Sequence, residues 1–157
     1  MNLIITGTPG CGKTTLAKNL AKALNFELIN EKDFALKNSL GSFNEENELE
    51  IPTDEFEKKA NEYLEKHDNV ILEGHVLCEM KINIDKIIVI KIDPEELEMR
   101  LEQRPYPSEK IMDNVFCEGI EYCKKQVVKN YPKEKIQIIR SESTEKLTLA
   151  KTIISLQ

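Results

Sequence analysis

Ile4-Ile5-Thr6-Gly7-Thr8-Pro9-Gly10-Cys11-Gly12-Lys13-Thr14-Thr15 runs from a short apolar segment into a turn with three glycines, a lysine and three threonines. Residues 7 to 14 fit G-x-x-x-x-G-K-[ST]. Glycine permits backbone angles that other residues resist, and it lets main-chain N–H groups approach an anion closely. In this pattern a lysine at position 13 adds charge near the outer phosphates of a nucleoside triphosphate, and a hydroxyl at Thr14 faces magnesium. The helix expected after Lys13 points its positive end at the same anion. Gly10, Gly12, Lys13, Thr14 and Thr15 are therefore the candidate ATP-binding residues.

The flanks suit that reading. Asn2 to Thr6 reads as a buried strand. Thr14 to Leu24 carries Leu16, Leu20 and Leu24 at four-residue spacing, as an amphipathic helix does. Further strands are expected at 26–30, 69–73, 86–92 and 135–139. Helical turns are expected at 31–37, and helices from Pro52–Thr53, from the acidic cap Asp93 with Pro94 behind it, from 108 to 129 and from 143 to 156. The polar, acidic stretch 38–50 reads as a loop. Strands alternating with helices predict an α/β fold, with a parallel sheet covered on both faces. Ligands of such sheets sit at the carboxyl ends of the strands.

Composition narrows the class. The chain has 157 residues, which suits one domain, 1–157, and a formal charge of −6. That acidity disfavours direct nucleic-acid binding. The lysines at 124, 125, 129, 133 and 135 form a local basic stretch, read first as a solvated helix face. No apolar run reaches membrane-spanning length, and no secretory leader is expected. The expected location is thus cytoplasmic, or nuclear in a eukaryote. The four cysteines have neither zinc nor thioredoxin spacing and are expected as thiols.

Three other positions are candidates. Glu73 ends the third expected strand and reads either as a surface charge or as a carboxylate holding magnesium through water. His75, two residues on, is open between a structural histidine and one near the nucleotides. Arg104 stands just before Pro105-Tyr106-Pro107, where a lid would hinge, and could stabilise charge during phosphoryl transfer. Arg100, one turn earlier on the same expected helix, could share its face, or pair with neighbouring glutamates. Asn-Lys-x-Asp and Asp-x-x-Gly, which a GTPase needs, do not occur. The layout suits a small kinase with an acceptor segment at about 30–53 and a short lid at about 102–113.

Across nearly its whole length the chain resembles the atypical adenylate kinases of archaea and eukaryotes, the isoenzyme 6 type. The resemblance rests on residues 4–15, on Glu73-Gly74-His75, on Arg100-Leu101-Glu102-Gln103-Arg104-Pro105-Tyr106, and on Ser108-Glu109-Lys110 followed by Asp113-Asn114 and Glu118. It implies the P-loop nucleoside monophosphate kinase fold with a five-stranded parallel sheet. It implies ATP and Mg2+ as cofactors, AMP as acceptor, a slow ATPase activity, and a part in maturing the small ribosomal subunit through a small-subunit ribosomal protein. Carried over by position, Gly10, Gly12, Lys13, Thr14, Thr15 and Arg104 hold ATP. Lys13, Arg104 and His75 are the catalytic set, and Thr14 and Glu73 the metal set. Many members carry an arginine for the acceptor phosphate where this chain has Leu36 beside Lys37, and glycine where it has Pro105. Two other readings stay open: an assembly factor that uses ATP mainly to hold a basic partner, and a kinase of a small metabolite such as shikimate or gluconate, with Asp33 as base.

Overall fold

The computed structural model describes residues 1–141 and 144–157. Five parallel strands form the sheet: β1 (Leu3–Gly7), β2 (Glu27–Asn30), β5 (Val70–Glu73), β6 (Lys86–Lys91) and β7 (Ile136–Arg140), in the order β2-β5-β1-β6-β7. β1, β5 and the middle of β6 are buried along their length, because helices cover both faces. Runs such as Leu3-Ile4-Ile5 and Ile87-Ile88-Val89-Ile90 are continuous apolar segments for that reason. The chain leaves β1 toward β2 on one side and later returns to β6 on the other. The strand order therefore reverses at β1, and the glycine turn leaves its carboxyl end there.

Two apolar cores lie on the two faces. One gathers Leu16, Ala17 and Leu20 of α1 (Lys13–Leu24) with Leu97 and Leu101 of α4 (Pro94–Glu102). The other packs Phe34 of α2 (Glu31–Lys37) against Phe56 of α3 (Thr53–Leu64), ring edge to face at 5.1 Å between centroids. At the amino ends of the strands the buried Asn2 side chain ties the sheet together. It accepts from the Val70 N–H at 3.1 Å and donates to the His67 carbonyl at 3.1 Å.

The structure differs from the expected elements in four places. Residues 38–50 fold into an antiparallel hairpin of β3 (Ser42–Phe43) and β4 (Leu49–Glu50). Asn44 organises its turn, accepting from the N–H groups of Glu46 and Glu48 at 2.9 Å each. The helix expected over 108–129 is two, α5 (Ser108–Gly119) and α6 (Tyr122–Asn130), separated where Glu121 takes a left-handed φ of 57°. Asp93 does not cap α4 with its side chain; its carboxylate accepts from Arg140 at 2.6 Å instead. α4 ends at Glu102, so Arg104 lies in the following turn and not on the helix with Arg100. The closing helix α7 spans Glu145–Leu156, while Ser143, where the expected helix starts, and Glu142 before it lie outside the described residues. In the basic stretch, Lys124 pairs with Glu121 and Lys135 donates to the Ile84 carbonyl, so part of it is engaged within the fold. No helix among the described residues is long and apolar enough to cross a membrane.

Phe56 is fully buried at the centre of the second core. Phe56→Ala is expected to cost about 3–5 kcal/mol of stability, read as a lowered urea midpoint with an unchanged slope.

Candidate functional site

The turn between β1 and α1 is built from underneath. Gly10 and Gly12 take φ of 91° and 96°, a left-handed region that side chains resist. Gly10 also has no room for a Cβ, which would fall 2.8 Å from a Leu101 methyl. The Cys11 N–H donates to the Thr8 carbonyl at 3.1 Å and closes the turn. The Cys11 thiol is fully buried, and burial pushes its pKa up to about 11. It is therefore a neutral packing group and puts no negative charge under the loop. Lys13 begins α1 and is only 8% exposed, so its side chain is packed into the fold.

Thr14 and Glu73 come together across the sheet. Thr14 Oγ1 donates to Glu73 Oε1 at 2.8 Å, and Asn30 Nδ2 donates to Glu73 Oε2 at 2.8 Å. The carboxylate is 2% exposed, at the carboxyl end of β5, in register with Ile5 on one side and Asn30 on the other. A hydroxyl and a carboxylate side by side, next to a phosphate-binding turn, are oxygen donors of the kind magnesium takes. Among the described residues, no group of three or more His, Cys, Asp and Glu side chains is gathered to hold a metal. A cation here would thus draw its other ligands from phosphate and water, as magnesium does in phosphoryl-transfer sites.

His75 follows a close contact at Gly74. The buried Glu31 carboxylate accepts from the N–H groups of His75, Val76 and Leu77 at 3.0, 3.0 and 3.2 Å. It caps the short 3-10 turn Val76–Glu79, and it lies 3.1 Å from His75 Nδ1. A Cβ on Gly74 would sit 2.0 Å from that carboxylate, so any larger residue there would have to displace Glu31 from its backbone donors. The imidazole is about half exposed. His75 is therefore oriented by Glu31 on the β2–β5 side of the loop.

Arg104 lies on the other side. An open cavity of about 510 Å³ is lined by Gly12, Thr15, Arg100, Arg104, Ser141 and Glu145, among others. It runs from the glycine turn toward the segment after β7 and has room for the nucleoside end of a triphosphate. Arg100 is held there by Glu96 at 2.7 Å and Ser141 at 3.4 Å. The structure thus brings Gly10, Gly12, Thr15 and Arg104 to one cavity and Thr14 with Glu73 beside it. His75 stands outside the cavity lining.

An ion pair joins the hairpin to α5. Lys110 of α5 joins Glu48 of the hairpin, and its ammonium also lies 5.0 Å from the Tyr106 ring centroid. The hydrogen bond between them holds the Glu48 carboxyl below its usual range and the Lys110 ammonium above it. Both side chains are about 40% exposed, so solvent screens the pair and its contribution to stability is small. Leu36 is 47% exposed on α2. Sequence reasoning missed Glu31 and Asn30. Nothing in their local pattern announces them, because their partners lie more than 40 residues away.

Comparison with known proteins bears on the family and the fold. A family model described as an AAA domain matches residues 3–121. A Thermococcus kodakarensis protein named "Putative adenylate kinase" is 39% identical over 121 residues, covering 77% of this chain and 66% of its own. The match thus spans just under two thirds of that relative. A Plasmodium falciparum protein named "Adenylate kinase isoenzyme 6 homolog" is 32% identical over 156 residues, covering 86% of this chain and 82% of its own. A gluconokinase from Sinorhizobium meliloti 1021 superposes with a TM-score of 0.65 over 99% of this chain and 90% of its own; at 10% identity that likeness speaks for the fold alone, a P-loop kinase fold. With the family model over most of the chain and relatives of this identity, the chain belongs to the atypical adenylate kinase family, the isoenzyme 6 type.

Proposed function

We propose that the protein is a nucleoside monophosphate kinase that transfers the γ-phosphoryl group of ATP to AMP, giving two ADP. The observation that carries the reading is the buried Glu73 carboxylate accepting from Thr14 at 2.8 Å, beside a phosphate-binding turn whose cavity Arg104 lines. The acceptor follows from the relatives' names. An AMP phosphate oxygen forms the new bond to the γ-phosphorus as the bond to the β,γ-bridging oxygen breaks, and the leaving ADP takes the electron pair. Lys13 and the N–H groups of the turn bind the outer phosphates and align them. Arg104 supplies fixed positive charge to the transferring group. Thr14 and Glu73 are the residues that would hold magnesium, directly or through water; when bound, it neutralises charge on the β- and γ-phosphates. His75, fixed by Glu31, stands on the acceptor side. The segment 30–53 then serves as the acceptor arm and 102–113 as the lid.

A second reading is favoured by Leu36. Without an arginine there, the acceptor phosphate lacks a bidentate partner, and hydrolysis of ATP competes with transfer. Together with the charge of −6, this supports an ATPase that also holds a basic small-subunit ribosomal protein.

ADP formation is expected from ATP plus AMP and to depend on AMP. Lys13→Ala is expected to lower kcat/KM by roughly 100-fold or more. A rate indifferent both to AMP and to Lys13→Ala would sink the kinase reading. Glu73→Gln is expected to raise the magnesium concentration needed for half-maximal rate about 10- to 100-fold, measured by metal titration at fixed ATP. Leu36→Arg is expected to lower the KM for AMP about tenfold, with the KM for ATP unchanged.

A further inference from the structure

Glu118 is a buried carboxylate that the proposed transfer does not use. It sits near the end of α5, 7% exposed, and both its oxygens are engaged. Oε1 accepts from the Ile92 N–H at 3.0 Å, just past β6. Oε2 accepts from the Thr8 hydroxyl at 2.5 Å, the separation of a hydroxyl donating to a carboxylate. Thr8 is itself 5% exposed, and its carbonyl receives the Cys11 N–H that closes the glycine turn. The first corner of the phosphate loop is therefore held at both ends of one residue. Its side chain is tied to α5 and its carbonyl to the middle of the loop.

The same turn is supported at Gly10 by Leu97 and Leu101 of α4. α4 and α5 are the two helices that flank the turn at 103–107 carrying Arg104. They pack against each other and both touch the loop.

We infer that Glu118 is a positioning residue for ATP: through Thr8 it fixes the phosphate loop in its anion-binding shape and joins the loop to the helix that carries the lid. The carboxylate touches no phosphate. It acts by removing the freedom the loop would otherwise lose on binding, and that freedom is lost equally in the ground and transition states. Losing the contact should therefore weaken ATP binding and leave turnover at saturation alone. The inference rests on the kinase reading for the use made of ATP, but not for its binding.

The test is titration of the wild type and of variants with a fluorescent non-hydrolysable ATP analogue, beside steady-state kinetics with AMP. Thr8→Val keeps the shape and removes the hydroxyl. It is expected to raise the dissociation constant and the KM for ATP about tenfold, with kcat and the KM for AMP within about twofold. Thr8→Ser, which keeps the hydroxyl, recovers most of the loss. Glu118→Gln weakens the analogue in the same direction. The double variant is no weaker than the worse single, because one contact cannot be lost twice. Three results overturn the inference: wild-type analogue affinity in Thr8→Val, equal weakening in Thr8→Ser and Thr8→Val, or single effects that add in the double. Thermal melting identifies a variant that does not fold; if that is Thr8→Val, wild-type affinity in Glu118→Gln overturns the inference. A wild type that binds the analogue and makes no ADP from ATP plus AMP overturns the kinase reading, and the dissociation constants still decide the role of Glu118.

Discussion

The site depends on one buried carboxylate. Glu73 ends β5 out of reach of solvent, and a buried charge is tolerated only when its lone pairs are occupied. Thr14 and Asn30 occupy them. Those two contacts join the start of α1, the end of β5 and the end of β2 at the point where the strand order reverses. The parallel sheet brings the three segments into register, and the carboxylate fixes their spacing. A phosphate-binding turn alone offers N–H groups and one ammonium; with Glu73 beside Thr14 it also offers oxygen ligands for a divalent cation.

A second buried acid organises the neighbouring strand end. Glu31 collects three N–H groups of the short turn after Gly74 and lies against His75. Glu118 collects a hydroxyl and an N–H on the far side of the loop. Three carboxylates in an acidic chain thus do structural work inside the protein, each matched to donors held by backbone geometry. The net charge of −6 counts these three with the surface acids and says nothing of what they do.

The sequence was readable where chemistry is local. Gly7 to Thr15 carries its own spacing, and Leu16, Leu20 and Leu24 carry theirs. Ile87 to Ile90 announces a strand covered on both faces. The break after α4 was recognisable from Arg104-Pro105-Tyr106-Pro107, though the helix before it ends sooner than periodicity suggested. What could not be read was non-local or backbone-encoded. The left-handed Glu121 splits one apolar period into two helices. Asn44 makes a hairpin of a stretch whose composition says only loop. Glu31 looks like one more helix-start acid until Gly74 is beside it in space.

Gly74 and Glu31 also bear on how this chain can change over generations. A methyl at position 74 would occupy the space of the Glu31 carboxylate, 2.0 Å away. A mutation at either position is therefore judged in the company of the other, and a drifting lineage meets the two as one inherited unit. The path from glycine to any larger residue at 74 opens only after position 31 has been shortened, and shortening it first leaves three backbone donors and the imidazole of His75 without their partner. The place of the His75 imidazole is thus set by its neighbours' shapes as well as by its own chemistry.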